Sequence, residues 1–376
     1  MQTYSDVRWW TRVALALAMV ADLDGASVCA QVAPFNVRPD AHGNIHIPSF
    51  VLPPSPVSSD EAVRAMIANG HRLLPAIPTS IVPGPELDRY RAEIDRILMI
   101  PTAKAAMAHY PVTITAARIG GVKVNIIKPR DGVAAPNRNR VLINLHGGGF
   151  FAGGGGWGGI VESIPIVGVG KFEVISIDYR QGPEFKHPAA TDDVAAVYGE
   201  LLKSFPPQNI GIYGCSAGGA LSAMSTVAIL QKRLPRPGAI GIYGSGVTII
   251  NGDSTTISSA IAGISLPPPA RAESKLPLMR STPYFSDADP NDPIVNAAAH
   301  PDVLAKFPPT QIISSVRAPD LSSAVATDVA MTKVGVDSEL HVWDGLGHCF
   351  LYDSGLPESQ DAYNIITSFF NQHLGQ

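Results

Sequence analysis

The segment Gly214-Cys215-Ser216-Ala217-Gly218 constrains this chain more than any other part of it. It directly follows an apolar run, Ile210 to Tyr213, and opens a helix-length stretch, Ala217 to Lys232. A buried strand that reverses into a helix over so few residues holds its central residue in a strained backbone conformation. Side chains at the flanking positions would collide with neighbouring backbone, so glycine is required there. Ser216 is thereby pushed into solvent at the carboxyl end of a sheet, with the positive end of a helix beside it. It is the candidate nucleophile.

The rest of the chain supplies the sheet this turn needs. Two alternating runs, Val112 to Ala116 and Val122 to Ile126, split by Gly120-Gly121, predict a hairpin. Short apolar runs follow at Val141 to Leu145, Glu173 to Ile177, Ala239 to Tyr243, Thr310 to Ser314 and Glu339 to Trp343. Helix-length stretches lie between or after them at Ala189 to Lys203, Leu321 to Lys333 and Glu358 to Leu374. Strand and helix alternate, so the predicted fold is α/β: a mostly parallel, twisted sheet with helices on both faces, entered through an antiparallel hairpin. Hydrophobic residues at 45% and charged residues at only 16% fit a chain of 376 residues that buries a large core. A net charge of -4 with no basic run excludes a phosphate backbone as the expected partner. Glycine and proline are over-represented without a period, which means many loops.

A serine hydroxyl needs a base, and His348 is the candidate. It lies in Gly345-Leu346-Gly347-His348-Cys349-Phe350, after the last strong strand, where a parallel sheet returns the chain to the edge that carries Ser216. His187, His300 and His341 have no comparable context and read as loop or solvent-facing residues. No histidine pair has helical metal-ligand spacing with a glutamate between, which argues against a zinc hydrolase. His146-Gly147-Gly148-Gly149-Phe150 follows a buried strand and leaves amides unshielded where the negative oxygen of a tetrahedral intermediate would form. The amide of Ala217 adds a further donor.

These segments, with Asp178-Tyr179-Arg180, Pro183-Glu184, Pro188-Ala189-Ala190 and Asp287-Ala288-Asp289-Pro290, resemble the hormone-sensitive-lipase-like esterases of the α/β-hydrolase superfamily from Val112 onward. The resemblance implies a serine carboxylic ester hydrolase acting through an acyl-enzyme, with oxyanion donors at Gly148 and Gly149. It implies no cofactor, a cap built from the N-terminal region, and a homodimer. Cys215 stands where many relatives have aspartate. The acid that orients the histidine is expected about thirty residues before His348, and that count lands on Ala318, which cannot do so. Three readings follow: an aspartate replaced by alanine to give an inert enzyme, Asp320 serving as the acid two positions on, or a ligand-binding homologue without turnover.

Phe150, Phe151 and Trp157 border the glycine-rich stretch and are candidates for an apolar pocket for small to medium esters, or equally for core packing beneath the loop. Domain organisation reads as a leader over residues 1–30, a proline-rich arm with cap helices near Asp60 to Asn69 and Glu86 to Leu98 over 31–110, and the catalytic domain over 111–376. The irregular segment 245–283 belongs to the cap. Arg8 and Arg12, the apolar run Val13 to Ala21 and Val28-Cys29-Ala30 follow the plan of a secretory signal, so the expected location is periplasmic or secreted, and cytoplasmic if this stretch is a cap helix instead. No run is long enough to span a membrane. Cys215 and Cys349 read as small buried hydrophobes, since a bridge would require the two loops to meet.

Overall fold

A computed structural model describes residues 40, 41, 45, 47, 51–70, 75–78, 80–250, 252–261 and 282–375; the expected leader lies outside them. Residues 1–53 and 54–376 are separate units, and the second contains everything described below. Its eight-stranded sheet consists of β1 (Val112–Ile119), β2 (Val122–Pro129), β3 (Val141–Leu145), β4 (Glu173–Ile177), β5 (Ile210–Cys215), β6 (Ala239–Tyr243), β7 (Thr310–Ser315) and β8 (Ser338–Trp343). The strand order is β1-β2-β4-β3-β5-β6-β7-β8. β1 and β2 pair antiparallel, β2 joins β4 antiparallel, and every later pairing is parallel.

The period-2 geometry of a strand sends alternate side chains to opposite faces, and β3, buried on both, is apolar throughout except at Asn144. Val141, Ile143 and Leu145 enter one core with Val194, Leu221, Val227 and Met331. These come from helices α5 (Ala189–Leu201), α6 (Ala217–Gln231) and α9 (Leu321–Lys333). Leu142 points the other way, into a second core with Ala103, Ile164, Ile366 and Phe370. Those residues belong to α3 (Ile100–His109), α4 (Trp157–Gly170) and α10 (Pro357–His373).

Before the sheet come α1 (Asp60–Gly70) and α2 (Pro85–Ile94). The helix expected to end near Leu98 instead runs on into α3 through a π-helical turn, Asp95–Met99. Pro101 removes a backbone donor inside this stretch, and a wide turn just before it is one way for a helix to continue past a proline. Sequence reading also passed over α4, whose glycines and internal Pro165 disguise a helix that is buried almost along its whole length. The segment 245–283 is not wholly irregular: it contains α7 (Asp253–Ile261), which packs over the loop after β7. There Thr255 Oγ1 donates to the Pro319 carbonyl at 2.6 Å, and the Ser322 amide donates to Ser254 Oγ at 2.8 Å. The short helix α8 (Pro301–Leu304) precedes β7. Among the described residues no helix is long and apolar enough to cross a membrane.

Candidate active site

Ser216 sits between β5 and α6 with φ 58° and ψ -122°, a conformation L-residues rarely adopt. Its amide donates to the Tyr243 carbonyl at 2.8 Å, which fixes the turn to the neighbouring strand. A Cβ on Gly214 would come within 2.0 Å of the Leu145 carbonyl oxygen, and one on Gly218 within 1.8 Å of the same atom. The two glycines are thus dictated by contact with the end of β3, as steric reasoning from the sequence requires.

His348 Nε2 lies 2.9 Å from Ser216 Oγ, and His348 Nδ1 lies 2.6 Å from Asp320 Oδ1. The three side chains come from the segments that follow β5, β7 and β8, with β6 between β5 and β7 in the sheet. Asp320 is buried, and its other oxygen accepts from Ser314 Oγ at 2.6 Å. The loops carrying acid and imidazole are tied together by Ser315 Oγ donating to the Gly347 carbonyl at 2.9 Å and by the Arg317 amide donating to Leu346 at 3.1 Å.

The carboxylate beside the His348 ring belongs to Asp320 and not to position 318. Ala318 is buried beneath the loop, and its amide donates to the Ser315 carbonyl at 3.0 Å in a turn that carries the chain on to the start of α9. Asp320, 28 residues before His348, stands at that start and faces the ring. Counting thirty residues assumed a loop length that this chain does not have. An aspartate lost at Ala318 is therefore unnecessary to the geometry.

The glycine loop turns sharply: Gly148 has φ 120°, Gly149 φ 63° and Phe150 φ 62°. Among the described residues no hydrogen bond engages the amides of Gly148, Gly149 or Ala217. A Cβ on Gly148 would lie 2.1 Å from the Ala152 carbonyl oxygen, so only glycine fits. His146 is buried and stacks on Tyr179 with ring centroids 4.2 Å apart, and burial pushes its imidazole below the usual histidine range. Its backbone carbonyl accepts from the Tyr179 hydroxyl at 2.7 Å, which anchors the base of the loop.

Of the two readings of Phe150, pocket lining or core packing beneath the loop, the structure has the second: the ring is buried, stacks on Tyr284 at 5.1 Å and meets Phe285 edge-on at 4.8 Å. Its positive φ turns the side chain inward, beneath the loop. Phe151 is half-buried, 6.1 Å from the Tyr90 ring on α2, and its carbonyl accepts from Arg91 Nε at 2.7 Å. Trp157 begins α4 and packs against the second core. His187 is not solvent-facing, since its side chain is buried with Nε2 3.0 Å from Asp292. An open cleft of about 800 Å³, lined by Arg91, Arg118, Lys123, Asp178 and Arg180, lies beside the glycine stretch, but none of Ser216, His348 or Asp320 lines it.

Two features escaped sequence reading. Cys215 and Cys349 are joined by a disulfide, Sγ to Sγ 2.02 Å, so the residue before Ser216 is covalently tied to the residue after His348. Glu162 of α4 is buried behind the glycine loop, and burial pushes its carboxyl up to about 7 against the pull of the hydrogen bonds it accepts. Its sequence signal was a lone carboxylate within Ile160-Val161-Glu162-Ser163-Ile164. Among the described residues no cluster of three or more His, Cys, Asp or Glu side chains could hold a metal ion.

Comparison with known proteins agrees with the fold. A family described by the alpha/beta hydrolase fold matches residues 142–352. An acetyl-hydrolase of Streptomyces hygroscopicus is 26% identical over 63% of this chain and 77% of its own length. A versiconal hemiacetal acetate esterase of Dothistroma septosporum is 25% identical over 66% of this chain and 77% of its own. Among solved structures, esterase E25 superposes with a TM-score of 0.72 at 29% identity, covering 88% of this chain and 98% of that one. An esterase of the bacterial hormone-sensitive lipase family shares the fold with a TM-score of 0.67 at 23% identity, covering 85% and 100%. Because the family match covers more than half of its residues, this chain belongs to the alpha/beta hydrolase fold family, beside relatives named as esterases and acetyl-hydrolases.

Proposed function

We propose that the protein is a serine carboxylic ester hydrolase with Ser216 as nucleophile, His348 as general base and acid, and Asp320 as the carboxylate that orients the imidazole. The observation that carries this reading is the continuous chain of contacts from Ser216 Oγ through both ring nitrogens of His348 to a buried Asp320. His348 takes the serine proton as Oγ adds to the ester carbonyl. The amides of Gly148, Gly149 and Ala217 receive the oxyanion, and the ring returns the proton to the departing alkoxide. Water, deprotonated by the same ring, then releases the acid from the acyl-enzyme. The names of the relatives point to acetyl groups. In this reading, parts of residues 31–110 and 245–283 form the cap, with α2 held to the glycine loop through Arg91 and Phe151. A disulfide persists in oxidising compartments, which supports export.

The test is hydrolysis of p-nitrophenyl acetate and butyrate by the full chain, with Ser216→Ala beside it. The parent turns over both esters and the variant loses kcat by about 10⁶-fold, the scale of removing a triad nucleophile. An inert parent, or a variant as active as the parent, overturns the assignment. A ligand-binding homologue has no use for the three-residue array and is not favoured by any contact.

A further inference from the structure

Four hydrogen-bond donors converge on the buried carboxylate of Glu162, and they come from the segments that build the active site. Oε1 accepts from the Gly147 amide at 2.8 Å and from the Tyr352 hydroxyl at 2.7 Å. Oε2 accepts from Asn144 Nδ2 at 2.9 Å and from the Cys215 amide at 3.2 Å. Gly147 begins the glycine loop, Cys215 immediately precedes Ser216, and Tyr352 lies four residues after His348 in a short 3-10 turn. Asn144, at the end of β3, is itself oriented by Ser176 Oγ, which donates to Oδ1 at 3.1 Å. None of these four donors carries a charge. The carboxylate is satisfied by donors alone, so it holds their positions as much as they hold its charge.

The surroundings make an ordinary packing role a poor explanation. Val161, Ile164 and Ile166 of the same helix are buried in the second core, and an apolar side chain at 162 would avoid the cost of burying a carboxyl. The backbone amides of Gly147 and Cys215 would then lose their acceptor. A Cβ on Gly147 would fall 2.6 Å from the Tyr352 hydroxyl and 3.2 Å from Ser216 Cβ, so the loop, the elbow and the tyrosine are already in contact. We propose that Glu162 is a positioning residue for ester hydrolysis: it sets the glycine loop and the Ser216 elbow in register, so that the amides of Gly148, Gly149 and Ala217 aim at one oxygen. This rests on the hydrolase reading above.

Glu162→Gln tests it, because the amide has the same shape. Either way the new NH2 group is turned, it faces a backbone donor that cannot rotate away, Gly147 on one side or Cys215 on the other. With p-nitrophenyl butyrate, kcat should fall by about 10²-fold with KM within about 3-fold of the parent, the pattern of displaced oxyanion donors. The inhibition constant for butylboronic acid should rise in proportion, because its tetrahedral adduct with Ser216 occupies the oxyanion site. Tyr352→Phe removes one donor and adds none; its kcat should fall at least about 3-fold at unchanged KM, and it decides the matter if Glu162→Gln does not fold. A parent kcat in folded Glu162→Gln, a parent kcat in Tyr352→Phe when the first variant cannot be made, or a loss confined to KM refutes the proposal. If the parent is inert, or Ser216→Ala retains its activity, the hydrolase reading has failed instead.

Discussion

Cutting the link between Cys215 and Cys349 should cost stability before it costs chemistry. The two residues are 134 apart in sequence, and a cross-link of that span removes unfolded-state entropy equivalent to about 5 kcal/mol at 25 °C in the loop-closure treatment. For a chain of 376 residues, an unfolding entropy near 2.1 cal/mol/K per residue converts this into a fall in Tm of about 6 °C. Alanine at both positions is the suitable replacement, because Cys215 is buried and a serine hydroxyl there would add an unmet polar group. Catalysis should suffer less. The elbow is still held by the Ser216 amide on Tyr243, and the imidazole by Asp320 and by the bonds from Ser315 and Arg317 to its loop. We expect kcat at 25 °C to stay within about 10-fold of the parent, since the hydrogen-bonded register survives. The assay pairs differential scanning calorimetry and p-nitrophenyl acetate turnover with thiol titration in denaturant. Untreated protein should show no more than the one thiol of Cys29, and two further thiols after reduction. A Tm shift below about 1 °C, or three thiols without reduction, would refute the reasoning.

Asp320→Asn should lower kcat by about 10⁴-fold with little change in KM, because the amide favours the wrong imidazole tautomer; steady-state kinetics on p-nitrophenyl acetate checks it. Ala318→Asp should bring no gain in rate and should lower Tm, since that side chain enters a buried site that offers no charge partner among the contacts described. Gly147→Ala should lower kcat by at least about 10²-fold, because its methyl group must displace the Tyr352 hydroxyl, the Cys215 carbonyl or Ser216 itself. Glu162 also predicts a pH dependence of stability. Below pH 4.5 both folded and unfolded chains hold its proton, whereas between 4.5 and about 7 only the folded chain does. Stability contributed by this group is therefore full in acid and lost as pH rises through that window, by up to about 1.4 kcal/mol per unit, and flat above it. Urea unfolding of the parent and Glu162→Gln from pH 4.5 to 7.5 should show the parent losing that increment relative to the variant.

What could be read from the sequence, and what could not, follows from how far each feature depends on contacts distant along the chain. The strands and the turn at Ser216 are local: apolar runs specify β3 and β5, and the glycines at 214 and 218 answer to the nearby end of β3. His348 needed only the rule that a parallel sheet returns every loop to the same edge. Asp320 needed more, because its place depends on a turn from Ser315 to Ala318 that no pattern in the sequence announces. Phe150 stayed open between pocket and core, because its backbone conformation, with a positive φ, is invisible in composition. Glu162 shows the limit most sharply: its partners at 144, 147, 215 and 352 meet only once the fold is complete. The disulfide, however, was a corollary within reach. If Ser216 and His348 must approach to hydrogen-bonding distance, the residues flanking them are brought to neighbouring positions as well, and here both of those residues are cysteines. The constraint that made the histidine legible applied equally to the sulfur atoms, and reading Cys215 and Cys349 one at a time, as small hydrophobes, is what concealed the bond.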